Sequence, residues 1–318
     1  MLSHEHYFLI LDFFPSLFFF LNGMTVTLTM RDRRISTRRL QAYLGKRGSI
    51  LLLLGLLFVK SWDLNLLLAC GIFYLLAPVV AEWNNIILRT LCIASALMTV
   101  VLINFDLPAS VTTFSVKLSG ADGKDLLAFL MFNGYFSVLP WITFFLAGML
   151  YGRSEMRPRG LYPISSIVCL VAMALAFFVE EYCKTLYGMR DSVDTISVFP
   201  FSFKFYLPAF LIFSIASCIL FLNVLLYVFR KDIPRKFEQF VQSFSSSKYS
   251  IYFFASFLGF LILNSSNTVA FRDKFVIFFT AITVIVLSIV LTAQWKKRLT
   301  QNAPVEWLIK RISGSAKK

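Results

Sequence analysis

Nine apolar runs, each bounded by polar or charged residues, divide this chain, and they fall at 7–29, 48–60, 65–80, 86–105, 135–151, 162–179, 205–229, 249–263 and 275–294. Most are long enough for a helix crossing a hydrocarbon core of about 30 Å. The run at 48–60 is short and is expected to borrow residues from Tyr43 onward, or to form one broken hairpin with its successor. Glu82, Trp83, Asn84 and Asn85 predict a tight polar turn between the third and fourth runs. Residues 106–133 are too polar for a span and too long for a simple turn. They predict an external loop with a short interfacial helix at 125–132.

The charges between the runs set a direction. Arg31, Arg33, Arg34, Arg38, Arg39, Lys46 and Arg47 stand against one acid, Asp32, and short loops this basic stay on the cytoplasmic side. Arg153, Arg157 and Arg159 follow the fifth run, Arg230, Lys231, Arg235 and Lys236 the seventh, and Trp295, Lys296, Lys297 and Arg298 the last. In 180–204 acids and bases nearly balance, as an outer loop requires. All the basic segments share one side if nine helices start outside and end inside. The expected fold is therefore all-α, a polytopic integral membrane helical bundle forming a single domain over 1–318. It has a basic cytoplasmic loop at 30–47, the external loop at 106–133 and a cytoplasmic tail at 295–318.

Composition agrees with that pattern. Hydrophobic residues make up 58% of the 318, charged residues 15%, and the mean hydropathy is +0.74, which excludes an ordinary soluble domain. A net charge of +14 would suit nucleic acid, but the cations sit in the short segments between apolar runs, where they orient helices and meet anionic lipid. No nucleic-acid partner is expected. Cys70, Cys92, Cys169, Cys183 and Cys218 have neither metal-ligand spacing nor a disulfide framework. The first run lacks a basic segment before it and contains Asp12 and Pro15, so it is expected to remain a span rather than be cleaved as a signal peptide.

Candidate chemistry concentrates in the first run. His4 and His6, the two histidines of the chain, flank Glu5 at its outer edge. Histidine titrates near neutral pH and is the commonest general base. On a helix Glu5 and Asp12, seven residues apart, share a face. Asp12 is an acid inside an apolar span, which requires an aqueous cavity or a partner. Histidines at a helix end can equally sit in water with no chemical role. Asn22, Gly23, Gly148 and Asn223 are candidates for close helix packing, and Arg89 for snorkelling to the interface. No phosphate loop, zinc-protease or nucleophile-elbow motif is present, and no metal site is expected. Asn264, Ser265 and Ser266 make a single glycosylation triplet.

Several segments together resemble the transmembrane acyltransferase superfamily, which includes heparan-α-glucosaminide N-acetyltransferase-like proteins and YeiB-type membrane proteins. The stretch Phe14, Pro15, Ser16, Leu17, Phe18, Phe19, Phe20, Leu21, Asn22, Gly23 is similar to the family's F-P-x-L-F-x-F-L-x-G segment. Pro140, Trp141, Phe144, Phe145, Leu146, Gly148, Gly152 and Arg153 resemble its P-W-x-x-F-F-L-x-G-x-x-x-G-R helix. Pro304, Val305, Glu306, Trp307 and Leu308 resemble the YeiB-type ending. Ser250, Ile251, Tyr252, Phe253, Phe254 and Ala255 resemble S-L-x-Y-x-x-H, with Ala255 where histidine is frequent. Family members begin with a further helix carrying D-x-x-R-G, and the expectation is a bundle without that first helix.

The resemblance implies acyl transfer, typically acetyl, from acyl-CoA at the cytoplasmic face to a cell-envelope sugar or glycan hydroxyl or amine on the far side. It places His4 or His6 as the catalytic histidine, with Asp12 orienting it, and makes Arg153, Arg34 and Arg38 candidates for holding acyl-CoA. It further implies residence in a bacterial cytoplasmic membrane, with the lipid bilayer, a small acyl donor, a glycan-type acceptor and a second copy of the chain as partners. Two other classes stay open: a transporter or permease-like carrier, for which inverted repeats and a polar midplane site would be expected, and a non-catalytic structural relative.

Overall fold

The computed structural model describes residues 4–30, 36–58, 66–104, 138–154, 162–186, 207–228, 246–265, 274–298 and 303–313. Among these the chain is all-α. Its helices are α1 (His4–Met30), α2 (Thr37–Phe58), α3 (Leu66–Val80), α4 (Asn85–Asn104), α5 (Val138–Ser154), α6 (Tyr162–Leu186), α7 (Leu207–Val228), α8 (Lys248–Ser265), α9 (Lys274–Arg298) and α10 (Pro304–Ser313). Each of the first nine overlaps one of the nine apolar runs. The interfacial helix expected at 125–132 and the external loop at 106–133 lie outside the described residues. Among the described residues no helix is long and apolar enough to cross a membrane.

Three boundaries depart from expectation. α2 starts at Thr37, so most of the basic loop expected at 30–47 is helical; the amide of Leu40 bonds the carbonyl of Ser36 at 3.1 Å, and Arg38 and Arg39 are exposed on the first turn. Arginine and lysine are good helix formers, so charge alone does not mark a loop. α6 continues to Leu186, past the end of its apolar run, and the tail expected at 295–318 contains α10. α10 opens on proline at its first helical position, where the missing N–H costs nothing, and the amide of Trp307 bonds the carbonyl of Ala303 at 2.6 Å.

The chain divides into two compact units, with the division inside α3: residues 1–34 with 76–230, and residues 35–75 with 231–318. In the first unit α1 packs against α5 and α7, α4 against α5, and α6 against α7. Glycine sets the closest approach. A methyl group added at Gly23 would collide with the carbonyl of Phe145, and one at Gly148 with the carbonyl of Phe20, so α1 and α5 touch backbone to backbone. Around this contact Phe19 stacks on Trp141 at 5.3 Å and Phe20 on Tyr151 at 5.7 Å. Asn84 caps α4 by accepting the amide of Ile87 at 2.8 Å. In the second unit α8 packs against α9, and α10 lies against both α2 and α8.

The buried core is mainly apolar but includes polar side chains, and several helices expose aliphatic residues. Ser16, Asn22, Ser95, Thr143, Ser214, Asn223 and Ser288 are buried, while Ile93, Leu97, Ile167, Val168 and Phe178 are exposed at 60% or more. The interior hydroxyls and amides satisfy each other or backbone carbonyls. Asn223 Nδ2 donates to Ser165 Oγ at 2.8 Å, Tyr151 Oη donates to Asn223 Oδ1 at 2.8 Å, and the hydroxyls of Ser95 and Thr143 bond at 2.9 Å.

Candidate functional site

His4, His6 and Asp12 all belong to α1, and its helical path puts Glu5 and Asp12 at positions of one face. Their side chains, and residue Arg34, lie outside the described residues. Arg38 is exposed on the first turn of α2. Arg38 belongs to the second unit and Arg153 to the first.

Arg153 has a definite role. At the end of α5 its guanidinium donates to the carbonyls of Trp83 at 2.7 Å and Ala81 at 2.8 Å, and to Asn85 Oδ1 at 2.9 Å. Those oxygens belong to the turn between α3 and α4, whose carbonyls a helix end leaves without intrahelical partners. Partial burial lowers the guanidinium pKa, and the three acceptors offset that desolvation. Arg153 thus braces a turn with donors that a phosphate would otherwise use.

A group of charged and aromatic side chains lies in the second unit. Arg47, on α2, holds its guanidinium carbon 4.7 Å from the ring centre of Tyr74 and 5.1 Å from that of Tyr249. Both distances are within cation–π range. The two phenols are fully buried and bonded to one another at 3.1 Å, Tyr249 donating. Arg47 Nε is buried without a hydrogen-bond partner. Lys248 Nζ lies 5.2 Å from the same Tyr249 ring. Burial, and then the charge of Arg47, lower the Lys248 ammonium pKa to about 7.

Glu306 closes this group from α10. One carboxylate oxygen accepts the amides of Tyr249 at 2.8 Å and Ser250 at 3.3 Å, and the other accepts the hydroxyl of Ser250. Ser250 Oγ in turn accepts the amide of Val305 at 2.9 Å. A carboxylate at a helix N-terminus satisfies amides that have no intrahelical acceptor and complements the helix dipole. Sequence reasoning treated Arg47 as one more orienting charge and gave Lys248 and Glu306 no role. The available signal was that Glu306 and Ser250 each fell in a recognisable segment, but nothing local said that the segments meet.

No protein-family model, curated protein or solved structure matches the chain.

Proposed function

We propose that this chain is a polytopic membrane acyltransferase of the bacterial cytoplasmic membrane, with nine membrane-spanning helices, its first end outside and its last inside. It transfers an acyl group, acetyl in the simplest case, from acyl-CoA to a hydroxyl or amine of an envelope sugar. One observation carries the reading: the four segments that resemble the superfamily meet as two pairs. The segment of α1 around Phe19 and Gly23 packs on the segment of α5 around Trp141 and Gly148, and the start of α8 is clasped by Glu306 of α10. Motifs far apart in sequence that close against one another behave as parts of one framework.

The membrane setting is supported by exposed aliphatic residues on several helices together with buried hydroxyls and amides. Exposed Ile93, Leu97, Ile167 and Val168 need an apolar surround, and buried hydroxyls with close glycine contacts are how helices associate in lipid, where burial of apolar area gives no net drive. Some apolar exposure is normal on any protein surface, but such long aliphatic helix faces are not.

In this reading His4 or His6 takes the proton of the acceptor as its oxygen or nitrogen attacks the thioester carbonyl. The carbon–sulfur bond then breaks, and the coenzyme leaves as a thiolate that is reprotonated. Asp12 holds the imidazole in the competent tautomer. Alternatively the histidine accepts the acyl group first and passes it on. Exposed Arg38 is free to meet the donor's phosphates, whereas Arg153 is committed to its turn.

The reading is tested by incubating purified protein with radiolabelled acetyl-CoA and an amino-sugar acceptor. Label in protein or acceptor that disappears in a His4→Ala, His6→Ala variant supports it. Equal labelling in that variant, or saturable substrate uptake insensitive to the substitutions, would overturn it.

A further inference from the structure

We infer that the outer face of α10 docks on anionic phospholipid headgroups, with Trp307, Lys310, Arg311 and Ile312 as the residues that meet the lipid. The other face anchors the helix within the second unit. Val305 and Ile309 are buried, α10 lies against α2 and α8, and Glu306 is bonded to the first turn of α8. The helix is thus held in place with its one acid engaged by the protein. Lys310 and Arg311 in its last turn are exposed, and the Arg311 guanidinium carbon lies 5.0 Å from the ring centre of Trp307, itself half-buried. Cations in a last turn also complement the helix dipole, so their sign alone has a local explanation.

The apolar positions choose the partner. Val305, Ile309 and Ile312 follow the spacing of one helical stripe. The protein covers the first two and leaves Ile312 55% exposed, directly after the two cations. An uncovered aliphatic side chain beside cations, with an indole on the same short helix, is the composition of a helix lying at the headgroup boundary. An acidic protein or a nucleic acid would satisfy Lys310 and Arg311 but leave Ile312 in water. The neighbouring helix has the same sign of charge: α2 contains no acid and exposes Arg38 and Lys46. The basic end of α9, Lys296, Lys297 and Arg298, precedes α10 by a few residues, which puts α10 at the cytoplasmic surface in the membrane reading. The inference rests on the membrane part of the proposed function and not on acyl transfer.

The experiment places the full chain in nanodiscs of phosphatidylcholine, with or without phosphatidylglycerol, and reads hydrogen–deuterium exchange of the α10 amides by mass spectrometry. Phosphatidylglycerol should slow exchange in residues 309–313 about tenfold or more, the effect of roughly two cations at an anionic surface. Lys310→Gln combined with Arg311→Gln should abolish the difference between the lipids. Lys310→Arg should keep it, and Arg89→Gln on α4 should leave it unchanged. Ile312→Ser should speed exchange in both lipids; the two residues have similar helix propensity, so a side chain standing in water would show no such change. A chain that fails to enter the discs overturns the membrane reading and this inference together. In incorporated protein, exchange that is equal in the two lipids, a lipid effect undiminished in the double glutamine variant, or unchanged exchange in Ile312→Ser would overturn the inference alone, whether or not acetyl transfer is found.

Discussion

Glu306 holds the backbone of Tyr249: its carboxylate accepts the Tyr249 amide at 2.8 Å across 57 residues of sequence. The same carboxylate receives Ser250, so α10 is fastened to the first turn of α8. Glu306→Gln keeps the shape but removes the charge facing the helix dipole. It should cost about 1 kcal/mol, the ordinary value of a helix cap, and Ser250→Ala about as much. Because the two share one network, the double variant should cost measurably less than the two losses combined. Thermal unfolding followed by circular dichroism reads this, and strict additivity would show that the clasp contributes nothing as a unit.

The α1–α5 contact predicts a difference between glycines. Gly148→Ala places a methyl on the carbonyl of Phe20 and should destabilise by about 1–3 kcal/mol or abolish folded protein, since overpacking displaces backbone. Gly45→Ala on α2 meets nothing within 4 Å and should stabilise by up to about 1 kcal/mol through helix propensity. Comparing the two unfolding midpoints checks both. Equal effects would mean that the tight approach does not govern packing.

Much of this architecture was legible in the sequence. Apolar runs predicted the extents of α1, α3, α4, α7, α8 and α9 to within a few residues, because a helix too apolar for loop chemistry has few alternatives. Gly23 and Gly148 were recognisable as packing residues because small side chains let apolar helices approach closely. The Arg47 group was not legible. Arg47 follows Lys46 in a basic stretch, and nothing within a few positions separates a cation buried between tyrosines from one in water. Its partners Tyr74 and Tyr249 come from distant helices, so the distinction is made by tertiary contacts. α10 was missed for a related reason: ten residues after a basic cluster look like a tail until the partner of Glu306 is known.

Lys248 gives the stability of the second unit a pH dependence. Its surroundings comprise Arg47 from α2, Cys70 from α3, Glu306 from α10 and its own neighbour Tyr249, with Lys296 of α9 bonded to nearby Ser246. Its ammonium pKa is lowered to about 7, so above that pH the folded protein loses a proton that the unfolded chain keeps. Stability should therefore rise as pH increases from about 7 toward the ordinary lysine range. Unfolding midpoints measured from pH 6 to 9 test the sign, and Lys248→Met should flatten the profile.

The most direct measurement of the proposed function is sidedness of transfer. Inverted membrane vesicles, with the cytoplasmic face outward, are loaded internally with an amino-sugar acceptor and given radiolabelled acetyl-CoA outside. Transmembrane acyl transfer predicts label on the trapped acceptor, abolished by the His4→Ala, His6→Ala substitutions and reduced by Asp12→Asn. Label that appears only when donor and acceptor share one side, or that is undiminished in the double histidine variant, would contradict it.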